Sequence, residues 1–207
     1  MSSHPGWPAK LTEGSVGLRP LRRSDAGAWS EVRLTNKQWL LRWEPTTLAT
    51  WPEQNTRAVF LSRLRQLRAQ ARRGETLPWA VTYEGRLAGQ LTIGNIVRGS
   101  LQSGYAGYWV DGHLAGRGII PCALALAIDH CFGAAGLHRI EVNIRPENTA
   151  SRRVVEKLSL REEALQRRLL YIDGAWQDHV GYAVTVEEVL PDGLIGRWRS
   201  RATTPAD

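Results

Sequence analysis

One stretch constrains this chain more than any other: "GRGIIPCALALAIDHC", Gly116 to Cys131. Behind the Gly-Arg-Gly triplet the sequence runs from Ile119 to Ile128 without a charge. A helix that is apolar all round offers no face to water and has to be buried. The pattern predicts a helix from about Gly118 to Ala135, with Ile120, Leu124 and Ile128 on one face. Ala123, Ala125 and Ala127 are small enough to let neighbouring elements come close. The run is too short to cross a bilayer, which takes about 18 or more apolar residues. It is therefore expected to pack against a sheet.

The start of such a helix carries unpaired N–H groups and a partial positive charge. Gly116 and Gly118 let an anion reach those amides with no Cβ in the way, and Arg117 adds a formal charge. The triplet reads as an anion cradle at a strand-turn-helix junction. It is not a P-loop, because no Gly-Lys-Ser/Thr follows, and it lacks the third glycine of a dinucleotide fingerprint.

The flanking patterns place this unit in an α/β domain. Ser15–Leu21 alternates as a strand, and Ser24 is expected to cap a helix with Ala28, Trp29 and Val32 inward. Thr50 and Glu53 have capping-box spacing around Pro52 and are expected to open a long helix. Its stripe is Phe60, Leu64, Leu67 and Ala71; arginines from Arg57 to Arg73 crowd its outer side, and Gly74 ends it. Strands follow over 77–83, 86–97 and 103–111, then the buried helix, a strand over 138–144 and a helix capped by Asn148. Two last strands flank Asp173-Gly174, a hairpin turn. At 207 residues one domain suffices: an extension over 1–14, the domain over 15–188 and a flexible tail over 189–207.

Charge and cysteine content narrow the chemistry. The formal charge is +7, from 27 basic and 20 acidic residues, which favours anionic partners such as phosphorylated cofactors. The two cysteines, Cys122 and Cys131, lie on one helix and point apart, so no disulfide is expected. No metal is expected either, since His130, Cys131 and His138 lack ligand spacing. With no signal segment or membrane span read in the sequence, a reduced, cytoplasmic protein is expected.

The order of elements, "YWVDGHLAGRGII" and "RIEVNIRPENTASRRVVEKLSL" together resemble the GNAT acetyltransferases. Within them the similarity is to the RimJ/RimL group, which acetylates ribosomal-protein N-termini. The likeness runs from Ser15 to about Glu188 and includes "YIDGAWQDHVGYAV", similar to the group's closing hairpin. It implies a mixed, mostly antiparallel sheet of about seven strands with about four helices on its faces, splayed at the cofactor groove. It implies acetyl-CoA as co-substrate, its pyrophosphate on the amides from Gly116 through Arg117, Gly118 and Ile119 to Ile120. Its pantetheine arm would add to the strand edge at Trp109 and Val110, with Asn148 on the other side and Ser151 near the sulfur. His113 occupies the motif's first position, where the family usually has Gln or Arg. Pro121 removes one amide from the first turn, and Ser159 and Leu160 replace the usual Gly-Phe.

Acetyl transfer to an amine needs a neutral amine, donors for the oxyanion and a proton for the departing thiolate. A backbone N–H at Trp109 or Val110 is the expected oxyanion donor. Ser151 is the expected acid, with Tyr182 or Tyr171 as alternatives. Glu141 is the expected base, with Asp178-His179 as a second candidate. Trp39, Trp43, Trp51 and Glu44 lie in the region that shapes the acceptor mouth in the resembling group. The expected acceptor is the α-amine of a protein N-terminus, plausibly ribosomal; membrane contact is not expected, nucleic acid is expected only through the ribosome, and monomer and dimer stay open. The alternatives are acetylation of a small amine, or a non-catalytic GNAT-fold protein binding RNA or the ribosome through the arginine-rich helix.

Overall fold

The computed structural model describes residues 5–189 and 191–202. The chain folds as β1 (Leu11–Glu13), β2 (Val16–Pro20), α1 (Ala26–Thr35), α2 (Lys37–Leu40), α3 (Trp51–Gln54) and α4 (Arg57–Arg73). Then follow β3 (Leu77–Tyr83), β4 (Arg86–Val97), β5 (Ser103–Val110), α5 (Ile119–Phe132), β6 (Arg139–Ile144), α6 (Thr149–Lys157), β7 (Arg161–Ile172) and β8 (Ala175–Thr185). Two short helices close it, α7 (Val186–Val189) and α8 (Gly193–Ala202). Among the described residues the strands form one eight-stranded sheet in the order β1-β2-β3-β4-β5-β6-β8-β7. Every neighbouring pair is antiparallel except β5 and β6. This bears out the expected mixed α/β sheet, with β1 as a strand beyond the seven anticipated.

Strand periodicity divides the core between the two faces of the sheet. On β3, Trp79 joins one cluster with α5, while its neighbour Ala80 joins the other with Trp29 of α1 and Phe60 and Leu64 of α4. The central helix is as buried as its composition requires: Ala123, Leu124, Ala125, Ala127 and Ile128 are fully covered. Burying a Leu or Ile contributes about 1.5–3 kcal/mol relative to exposure, so this helix anchors everything mounted on its ends.

The ends of the chain differ from expectation. Trp7 packs edge-on against Trp79, with centroids 5.3 Å apart, and His130 Nε2 donates to the Gly6 carbonyl. The anticipated flexible tail is, over Gly193–Ala202, a helix against α5. Leu194 is fully covered, and the amides of Leu194 and Ile195 donate to Asp129 of α5 at 2.8 and 3.0 Å. Aromatic and apolar residues in polar, Pro-punctuated ends were the signal for this packing. Residues 1–4, 190 and 203–207 of the expected extension and tail lie outside the described residues.

Two helix starts also move. Asp25, not Ser24, organises the entry to α1, accepting from the Arg22 amide at 2.7 Å and pairing with Arg19. The Thr50–Glu53 capping box is present but opens only α3; α4 has its own cap, Thr56, which accepts from the Val59 amide. The inner face of α1 is Ala26, Trp29, Ser30 and Arg33, whereas Ala28 is exposed.

Candidate active site

A short parallel pairing opens the sheet. β5 pairs with β6 only where Ser103–Tyr105 meet Arg139–Glu141. Beyond that point β5 stays with β4 as far as Val110, and β6 stays with β8 as far as Ile144. The two strands diverge, and a cleft lies between them. Peptide groups alternate in direction along β5. The Asp111 amide donates to Ala88 of β4, and the Trp109 carbonyl crowds Gly89 so closely that a Cβ there would sit 2.2 Å from it. At the other parity, Gln102 accepts from His138 and Arg139 on the β6 side. Val110 and Tyr108 share that parity, so their backbone groups face the cleft while those of Trp109 face β4. The Val110 carbonyl already accepts from Trp39 Nε1 at 3.2 Å.

At the upper end of β5 the buried helix begins. Gly116 and Gly118 have φ of +84° and +75°, the left-handed region that favours glycine. A Cβ on Gly116 would meet nothing within 4 Å, so the cradle is open above it. A Cβ on Gly118 would lie 2.9 Å from the Trp198 ring of α8, so the C-terminal helix backs the cradle from beneath. The first helical bond is Cys122 N–H to the Gly118 carbonyl, which leaves the Ile119 and Ile120 amides without helical acceptors. These residues line a cavity of about 760 Å³ together with Trp109, Val110, Asn148 and Ser151. Arg153 and Lys157, one turn apart on α6, line the opposite wall and were missed by the sequence reading. His113 and Arg117 are exposed and line neither this cavity nor the next.

A second cavity of about 340 Å³ adjoins the first and shares Trp43, Glu44, Tyr108, Trp109, Asn148 and Ser151 with it. Asn148 caps α6, its Oδ1 accepting from the Ser151 amide at 3.1 Å. The hydroxyl of Tyr108 donates to the Ser151 carbonyl at 3.4 Å, and burial pushes that phenol well above the usual range. Ser151 thus sits where the cavities meet, its hydroxyl beside that of Tyr108. His179 lines the second cavity and is only 2% exposed. Its Nδ1 lies 3.1 Å from the Gln177 carbonyl, which only accepts, so Nδ1 carries the proton and Nε2 keeps a lone pair. Burial lowers the imidazole below its ordinary pKa, holding it neutral.

Other expected residues are elsewhere. Glu141 pairs with Arg139 at 2.9 Å and lies opposite Tyr105, below the point where the strands part. The Tyr182 hydroxyl accepts from Arg152 and donates to Glu162, and its side chain lines neither cavity. Tyr171 stacks edge-on with the exposed Trp176 on the closing hairpin. Asp178 accepts from the Arg168 amide across the irregular part of the β7–β8 pairing, and lines neither cavity. Among the described residues no cluster of three His, Cys, Asp or Glu is arranged to hold a metal, and no helix is long and apolar enough to cross a membrane.

The family model for the acetyltransferase (GNAT) domain matches residues 15–161. The chain belongs to the GNAT N-acetyltransferase family. A solved GNAT structure, Mycobacterium smegmatis RimJ in complex with CoA-disulfide, is 45% identical, with a TM-score of 0.94 over 96% of this chain and 97% of that one. The [ribosomal protein uS5]-alanine N-acetyltransferase of Escherichia coli K12 is 27% identical over 88% of this chain and 93% of its own length. The probable N-acetyltransferase YjcK of Bacillus subtilis is 38% identical over 101 residues, which span 49% of this chain and 56% of that relative. The GNAT fold expected from the sequence is borne out.

Proposed function

We propose that this GNAT protein transfers the acetyl group of acetyl-CoA to the α-amine of a protein N-terminus, that of a ribosomal protein foremost. One observation carries the reading: the cradle cavity and the adjoining cavity meet at Ser151 and Tyr108, beside the cleft-facing edge of β5. The open space above Gly116 and the amides of Ile119 and Ile120, which have no helical acceptors, suit a pyrophosphate, and Arg153 and Lys157 suit the charged nucleotide end. Exposed Arg117 contributes long-range attraction, and His113 contributes no wall. Asn148 faces the arm from α6, its Nδ2 without a partner among the described residues.

Acetyl-CoA supplies an activated thioester. The Val110 N–H, turned to the cleft, takes the oxyanion role that the sequence left between Trp109 and Val110. Ser151 hands its hydroxyl proton to the departing sulfur, and the proton released by the attacking amine restores it. His179 replaces Glu141 as the base, because its Nε2 lone pair belongs to a side chain lining the acceptor cavity. Glu44, 27% exposed and lining both cavities, is held at the acceptor mouth by its ion pair with Arg33.

Magnitudes favour an N-terminus over a lysine. Neutralising an α-amine of pKa about 7.7–8.0 at pH 7 costs only about 1 kcal/mol, against nearly 5 for a lysine at about 10.4. A buried neutral imidazole suffices for the first. The relatives' names, RimJ and uS5-alanine N-acetyltransferase, agree with this acceptor class. The test is mass spectrometry of peptides incubated with acetyl-CoA. Acetylation of a free N-terminus, with an Nα-blocked lysine peptide untouched, supports the reading; acetylation of polyamines or aminoglycosides alone overturns it.

A further inference from the structure

A third cavity, of about 160 Å³, opens behind the acceptor site. It holds roughly five times a water's share of liquid volume. It shares Glu44, Gln90 and Trp109 with the acceptor cavity, and its remaining walls include Trp29, Phe60 and Leu64. Two guanidinium groups also line it, those of Arg33 and Arg63.

Their charges are not balanced. Arg33 is 2% exposed, with tryptophan rings 29, 51 and 109 within 4.9–5.3 Å. Its Nε donates to Asn55 and its Nη1 to Glu44, while Nη2 is sealed from solvent without an acceptor. Arg63 is half-buried over the Trp29 ring and has no hydrogen bond or ion pair among the described residues. Among the described residues the only carboxylate on the cavity wall is Glu44, which pairs with Arg33. Two cations and one anion leave a net positive charge between aromatic walls. Burial and the Arg33 charge hold the Arg63 guanidinium below its ordinary pKa, and the more distant attraction of Glu44 offsets them only in part.

We infer that this cavity is a specificity subsite for an acidic side chain of the acceptor, a glutamate within the first few residues after the reacting amine. The inference rests on the N-terminal reading above. The shared residues Glu44, Gln90 and Trp109 set it directly against the acceptor cavity. Apolar walls suit the methylene stem of glutamate, and Arg63 supplies planar paired donors for its carboxylate. A glutamine of the same shape finds the stem contacts and loses the charge.

The test is a peptide panel with Glu, Gln or Lys at positions two, three and four, assayed with acetyl-CoA. At one position Glu exceeds Gln by about tenfold in kcat/KM, through KM, as one charge-assisted hydrogen bond provides. Lys there is disfavoured more. Arg63→Gln brings the Glu/Gln ratio close to one, and Arg63→Glu turns the preference toward Lys, with unchanged acetyl-CoA affinity and melting temperature as the check on folding. Equal rates for Glu and Gln peptides at every position overturn the subsite and leave the N-terminal reading standing. A preference that survives both variants also overturns it. A panel in which no peptide is acetylated removes both.

Discussion

On the side proposed for acetyl-CoA the cleft presents chiefly backbone: the amides behind Gly118, the free edge of β5 and the start of α6. On its acceptor side it presents side chains from distant segments: Glu44, Gln90 and His179, brought together by sheet order. The difference decides how each side responds to change. A backbone surface tolerates side-chain substitution except where a Cβ enters forbidden space. A side-chain surface changes with each residue, which suits the part of an acetyltransferase that selects its acceptor.

Four substitutions sharpen or break that contrast. His179→Gln, on the acceptor side, is expected to lower kcat about hundredfold or more, as loss of a general base does. The acceptor KM should change little. In the parent enzyme the acid limb of kcat/KM should lie below the ordinary imidazole value of about 6.5, because burial favours the neutral, proton-accepting form. That limb should vanish in the variant. The same lowered pKa makes the unfolded chain bind the proton first as pH falls, so stability should decline from about pH 6.5 down to the folded-state value. Denaturant titrations across that range check the sign.

Next is Gly118→Val, the one cofactor-side change expected to rival it. Its φ of +75° and the 2.9 Å approach of Trp198 both oppose a branched side chain. Strain of about 1–3 kcal/mol should cost tenfold or more in CoA affinity by calorimetry. An unaffected affinity would break the claim that the cradle is rigidly backed. Ser151→Ala should lower kcat by about tenfold with KM intact, and an unchanged kcat would remove the hydroxyl from proton transfer. The smallest effect belongs to Arg117→Glu. Its charge is exposed, so CoA affinity should fall about two- to threefold at low salt and recover as screening increases.

The same contrast explains what the sequence disclosed. Gly116-Arg117-Gly118, the buried helix and the Asn148–Ser151 turn are local signals, and a few consecutive residues carry each one. Glu141 and Tyr182 alternate correctly on their strands, but whether they meet the cleft depends on where β5 and β6 part, a register property no single strand encodes. His179 was legible only as a second base candidate beside Asp178, because its place on the cavity wall is set by how β8 packs and not by its neighbours in sequence. Arg33 defeats hydropathy altogether: a cation occupies the inner face of α1 because three tryptophan rings and Asn55 surround it. Tyr108 was passed over beside Trp109, although peptide parity makes it, with Val110, the residue whose backbone faces the cleft.

The early parting of β5 from β6 has a consequence for solubility. Unpaired strand edges usually recruit other chains and seed aggregation, and proteins guard them at the rims of their sheets. Here the bare edge lies mid-sheet, at the bottom of a fissure walled by α6 and the segment around Trp43. A slender linear molecule reaches it, whereas the sheet of another protein is too broad to enter. The fold thereby keeps a template for strand addition without the stickiness such templates bring.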